Sequence, residues 1–172
     1  MSKRDLKKYL ETLDAVQIGE QILELYDKFA DVKTYYDFVF NPKEDKLVGE
    51  AKAKISNEYF PVKSRRAKLR RSTAQKYIKH FITLGVEANA LADLMLFNIE
   101  TAQKYSAKRE MRYSSFYKSM ANSFEQAANF VVTSGILADF KKRLEAIEKE
   151  AVRQRWENHP EFSRVIETLE WD

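Results

Sequence analysis

The stretch Glu87–Tyr105, "EANALADLMLFNIETAQKY", decides the fold class. Between Ala90 and Ile99 it is apolar on nearly every side of a helix with 3.6 residues per turn. A helix apolar all round is a buried one. The run is too short to cross a bilayer, which takes about 18 consecutive apolar residues or more. It is therefore read as the central helix of a globular core, and the rest of the chain has to supply the helices that cover it.

Working outward, almost every segment has helical period. On the C-terminal side, the polar loop "SAKREMRYS" leads to a helix starting near Ser114 or Ser115. Phe116, Tyr117, Met120, Phe124, Ala127, Ala128 and Val131 make its stripe. Gly135 breaks the chain. Ile136, Phe140, Leu144, Ile147 and Ala151 continue on a long charged helix, with Lys141–Glu145 and Glu145–Lys149 spaced for surface pairs. Pro160 sets off a short final helix containing Phe162, Ile166 and Leu169.

On the N-terminal side, Ser72 suits an N-cap for a helix through Leu84, and Gly85 suits its stop. Pro61 ends the preceding helix, which Pro42 is placed to begin. Asp31 starts a short aromatic helix, "VKTYYDFVF". Asp14 caps a helix with Ile18, Ile22, Leu25 and Phe29 on one face. Ser2 and Asp5 form a capping box for the first helix. With four glycines and three prolines the chain is too poor in turn residues for an all-β fold. The expected architecture is all-α, an irregular multi-helix bundle of about eight helices. No fixed period supports a solenoid.

The 172 residues suit a single domain, in which residues 1–60 are N-terminal helices, 61–71 a basic loop and 72–172 the main helical core. No cysteine is present, so disulfides and thiolate chemistry are excluded. The start, "MSKRDLKKYLETL", lacks the uninterrupted apolar segment of a secretory signal. The protein is read as cytoplasmic, with no membrane association.

Catalytic signatures are missing. His80 and His159 are the two histidines, and the positions three residues before them hold Tyr77 and Trp156 rather than glutamate. The Glu-x-x-His pair of di-iron bundles and His-Glu-x-x-His are both absent. Neither a Gly-x-Ser-x-Gly elbow nor a Gly-rich phosphate loop occurs. No metal, cofactor or catalytic residue is expected. Asp93 and Asn98 stand inside the apolar central helix. A buried aspartate needs a partner, so a basic group from a neighbouring helix is expected to hold Asp93, with a polar pocket around Asp93, Asn98 or His80 as the enzymatic alternative. The aromatic run "YYDFVF" at 35–40 is read as the core anchor of a short helix rather than a stacking platform.

The charge is concentrated. Residues 61–86 hold 8 Lys and Arg and no Asp or Glu, whereas residues 1–60 and 87–172 are each mildly acidic. Lys63, Arg65, Arg66, Lys68, Arg70 and Arg71 crowd into "KSRRAKLRR". Lys76 and Lys79 follow on the outer face of the next helix, opposite a stripe of Ala74, Tyr77, Ile78 and Phe81. The loop also precedes a helix N-terminus, which attracts anions. Lys108, Arg109 and Arg112 extend the surface if the fold brings the two polar loops together. A polyanion such as nucleic acid would fit this chemistry through its phosphates. The competing readings are a solvated loop, a loop docked on the acidic flanks, and a helical adaptor or homo-oligomer whose partner is protein.

Several blocks resemble a known family: "MSKRDLKKYLETL…QILELYDKFADVKTYYDFVFNPKEDKL", "RRSTAQKYIKHFITLGV…ADLMLFNIETAQKYS" and "SFYKSM…SFEQA". The sequence is similar to an uncharacterised bacterial family catalogued as a domain of unknown function. The resemblance covers most of the chain and implies a compact helical protein. It carries no reaction, ligand or site residue. The first 29 residues also resemble, in outline, small helix–loop–helix modules that bind DNA.

Overall fold

In a computed structural model, residues 2–63, 66–109 and 111–169 are described. Among the described residues there are nine α-helices and no strand. No helix is long and apolar enough to cross a membrane. The backbone divides into two compact units, 1–43 and 44–172.

The first unit holds α1 (Lys3–Leu10), α2 (Ala15–Lys28) and α3 (Ala30–Phe40). Both expected capping boxes form. Ser2 Oγ accepts from the Asp5 amide at 3.3 Å while Asp5 Oδ2 accepts from the Ser2 amide at 2.9 Å. Asp14 does the same with Gln17, at 2.8 and 3.0 Å. α2 packs on α3, where the Tyr26 hydroxyl donates to Asp37 Oδ1 at 2.8 Å. None of the three helices has a buried residue. The run at 35–40 is therefore no core anchor: Tyr35 is 43% exposed and Phe40 81%. Tyr36 instead stacks with Phe40 in α3.

The second unit holds α4 (Glu44–Tyr59), α5 (Arg71–Leu84), α6 (Ala88–Ser106), α7 (Ser114–Thr133), α8 (Leu137–Arg153) and α9 (His159–Leu169). By sequence α4 was grouped with the N-terminal helices; by packing it lies against α6. α6 contains the apolar run Ala90–Ile99, and it does go through the core, against α4, α5, α7 and α8. Leu91, Ala92, Leu94, Leu96, Ile99 and Ala102 on it are almost wholly buried. Aromatic packing closes the far side. Trp156 meets Phe116, Tyr117 and Phe162 edge to face, and Phe162 stacks on Phe124.

Helix ends follow the breakers with small shifts. Gly85 and Gly135 sit at φ +75° and +70°, the left-handed conformation that ends α5 and α7. Pro42 and Lys43 precede α4, which begins at Glu44 rather than at the proline. Pro160 occupies the second position of α9, where its missing N–H is not needed. Ser72 is not the cap of α5. The helix starts one residue earlier, at Arg71, with Arg70 at the cap position and no capping bond from its side chain.

Asp93 is held as expected for a structural residue. Lys52 from α4 and Arg143 from α8 both pair with it, Arg143 Nη1 at 2.6 Å. Arg143 also grips Glu100 through Nε at 2.6 Å and Nη2 at 2.9 Å. Burial pushes the Asp93 carboxyl up, but the hydrogen bonds from Lys52 and Arg143 outweigh it and hold it below the usual range. The network ties α4, α6 and α8 together. Asn98 is buried and His80 is exposed, so no polar pocket gathers Asp93, Asn98 and His80. The spaced acids and lysines at 141–149 form no ion pair among the described residues.

Candidate nucleic-acid interface

Glu58 holds the end of the chain between α4 and α5, and Asn57 Oδ1 accepts from the Val62 amide near its start at 3.1 Å. The Glu58 backbone carbonyl accepts from the amides of Lys68 and Leu69, at 3.0 and 3.1 Å. Its carboxylate accepts from the Arg70 amide at 3.2 Å and from the Thr73 hydroxyl at 3.2 Å. The Arg70 guanidinium adds Nη2 to Oε1 at 2.8 Å and Nε to Oε2 at 3.1 Å. Hydrogen bonding from Arg70 holds the Glu58 carboxyl below the usual glutamate range, against the opposing effect of burial. The positive end of α5 was expected to attract an external anion. Beside that end lies Glu58, 6% exposed, whose carboxylate accepts from the Arg70 amide and the Thr73 hydroxyl without bonding a first-turn amide of the helix.

This clasp sorts the predicted cations. Arg70 is engaged by Glu58 while its side chain stays more than half exposed. Arg65 lies outside the described residues. Lys63, Arg66, Lys68 and Arg71 are exposed, as are Lys76 and Lys79 on α5. Ala74, Ile78 and Phe81 form the buried side of that helix, with Tyr77 at its margin. Lys108, Arg109 and Arg112 in the second loop are exposed too. Among the described residues, Lys63, Lys68, Arg71, Lys76, Lys79, Lys108, Arg109 and Arg112 form no ion pair.

The two loops meet. A hollow of about 510 Å³ is lined by Tyr59, Phe60, Pro61, Val62 and Ala67 from the first side and by Tyr105, Lys108 and Arg109 from the second. Its rings and cations are interleaved. Lys108 Nζ lies 6.0 Å from the centre of the Phe60 ring, and the Arg109 guanidinium 5.6 Å from that of Tyr105. Phe60 and Tyr105 meet edge to face at 5.7 Å, and Phe60 is 41% exposed. A neighbouring hollow of about 690 Å³ brings Lys54, Lys63 and Lys68 together beside the same Phe60.

A third, smaller cavity of about 330 Å³ lies where the two loops run into α5 and α7. Leu69 and Arg71 line it from one side, and Met111, Tyr113, Ser115, Phe116, Ser119 and Met120 from the other, with Tyr59 shared with the first hollow. Burial pushes the Tyr59 phenol up, so it stays neutral. Leu69 has φ +54°, a strained conformation for a branched side chain, kept in place by the bonds to Glu58.

Sequence reasoning named the cations and missed the rings. Tyr59, Phe60, Tyr105 and Tyr113 flank the two basic loops in "EYFPVK" and "KYSAKREMRY". That interleaving of aromatic and basic residues was the available signal. No group of three or more metal-ligating side chains occurs among the described residues.

Comparison with curated proteins and with solved structures gives no match. One family does match, over residues 1–170, and it covers both helical units and the two loops that meet at Phe60. The chain belongs to this family of unknown function, DUF6155.

Proposed function

We propose that this protein binds nucleic acid through the sugar–phosphate backbone, on the surface where the two basic loops meet, and does no chemistry on it. One observation carries the reading: Lys108 and Arg109 share a hollow with residues 59–62 although more than 40 positions of sequence separate them. Lys63, Lys68, Lys108 and Arg109 line hollows that share Phe60, Arg71 lines the cavity that Tyr113 also lines, and Arg112 precedes Tyr113 in the chain. Among the described residues, Glu58 is engaged with Arg70, Glu100 with Arg143 and Glu150 with Arg153. Cations with no carboxylate of their own gain most from releasing a polyanion's counterions. Aromatic faces among them add stacking that tolerates any base. Arg70 is left out of the contact set because Glu58 holds it.

The test is fluorescence anisotropy with a labelled single strand of about 16 nucleotides at low salt. Replacing Lys108 and Arg109 together by Ala should weaken binding roughly tenfold and lower the salt slope by about 2. Replacing Lys141 and Lys142, exposed on α8, should leave it unchanged. Equal effects from the two pairs would mean that only net charge matters and would remove the surface.

A second reading rests on a separate observation. α1 to α3 carry large apolar side chains but bury none, with Leu23 at 65%, Phe29 at 54% and Phe40 at 81% exposure. Exposed apolar surface of this kind fits a protein partner or a second copy. Sedimentation of the purified chain separates the cases: a mass above the monomer, lost in Leu23→Glu and Phe40→Glu, supports the oligomer.

A further inference from the structure

We infer that the 330 Å³ cavity between the loops accepts one unstacked base, so that the surface selects single strands over duplexes. The inference rests on the nucleic-acid reading and deepens it. Four observations converge. The cavity is at the small end of the range for ligand pockets, about 300–1,000 Å³, and has room for one planar ring system. Its lining is mostly aromatic and apolar, with Tyr59, Tyr113, Phe116 and Met120, the surfaces on which a base stacks. Among the described residues that line it, Arg71 is the one cation and none is a carboxylate, so Arg71 can meet a phosphate at the entrance. Ser119 lines it as well; this residue is 7% exposed, and its hydroxyl is buried with no hydrogen-bond partner among the described residues.

That last point singles the cavity out. A buried hydroxyl without a partner is disfavoured, and a polar group entering the cavity would satisfy it. A serine hydroxyl both donates and accepts, so it can meet the polar edge of any base. The cavity also shares Tyr59 with the hollow that holds Lys108 and Arg109. A strand lying on those cations therefore passes beside the entrance. A duplex would have to break a pair to fill it, whereas a single strand need only turn one base inward.

The experiment compares three labelled probes at fixed salt: a short single strand, the same strand with abasic sugars throughout, and a matching duplex. The wild-type protein should bind the base-bearing strand about tenfold more tightly than the abasic one, the gain from one stacked base. Two variants block the cavity without changing charge. Ser119→Leu fills it from within. Ser115→Trp covers it from an exposed position on α7, where folding is not at stake. Both should bring the base-bearing and abasic strands within about twofold of each other while leaving the abasic affinity as it was. Equal binding of the two strands by wild-type protein would overturn the inference and leave the phosphate-binding surface standing. So would a preference that survives both variants. Failure of every probe to bind would remove the surface itself, and the base pocket with it.

Discussion

The Arg70 guanidinium and the Glu58 carboxylate form a two-point clasp, 2.8 Å from Nη2 to Oε1 and 3.1 Å from Nε to Oε2. It joins the end of α4 to the start of α5 and removes one arginine from the basic stretch. Glu58→Gln should therefore have two opposite effects. It should cost about 2 kcal/mol of stability in urea unfolding, because a buried, several-fold acceptor loses its charge. It should also tighten nucleic-acid binding, because Arg70 is released. A variant that loses both stability and affinity would show that the loop's shape matters more than its charge.

The pH dependence of that pair has a definite sign. Hydrogen bonding from Arg70 lowers the Glu58 carboxyl from its ordinary value of 4.5 in the folded state. A depressed folded value means the stabilisation is complete above about pH 4.5 and disappears as pH falls through the folded value. The difference in urea midpoint between wild type and Glu58→Gln should be constant from pH 7 to 5.5 and should shrink below pH 4.5.

Asp93 invites a similar test in the core. Its partners Lys52 and Arg143 come from two other helices, and Arg143 also depends on Glu100. Asp93→Asn should lower stability by about 2 kcal/mol, measured by urea unfolding, since two part-buried cations lose their shared partner. Asp93→Asn combined with Arg143→Met should be less damaging than the two changes added, because the Asp93–Arg143 pair they share is lost only once.

These two carboxylates mark how much the sequence made legible. The all-helical class followed from Ala90–Ile99, and the helix ends from Ser2, Asp14, Gly85 and Gly135, because periodicity and capping are local. Asp93's need for a basic partner was also readable, since an aspartate on an apolar helix has few alternatives. The identity of that partner was not, because Lys52 and Arg143 are far away in sequence. Glu58 escaped for the same reason. It sits on a helix of mixed charge, and only the fold brings it under Arg70. The run at 35–40 was misjudged because aromatic density signals burial only where a partner surface covers it, and none of α1 to α3 buries a residue. The meeting of Phe60, Val62 and Ala67 with Tyr105, Lys108 and Arg109 was readable only as a condition, because it depends on how α4, α6 and α7 pack.

Trp156 gives a probe of the second unit. It is 1% exposed and touches Phe116, Tyr117 and Phe162. Trp156→Ala should cost about 3–5 kcal/mol, the usual range for removing a large buried ring, read from the shift of the urea midpoint by circular dichroism. A loss under about 1 kcal/mol would mean that α7, α8 and α9 do not share one core.

The most direct measurement is the affinity of the wild-type protein for a single strand as salt rises from about 50 to 200 mM. Six phosphate contacts, from Lys63, Lys68, Arg71, Lys108, Arg109 and Arg112, predict that log K falls against log salt with a slope of about −4. A slope near zero, or no binding at the lowest salt, would contradict the claim that these cations receive a polyanion.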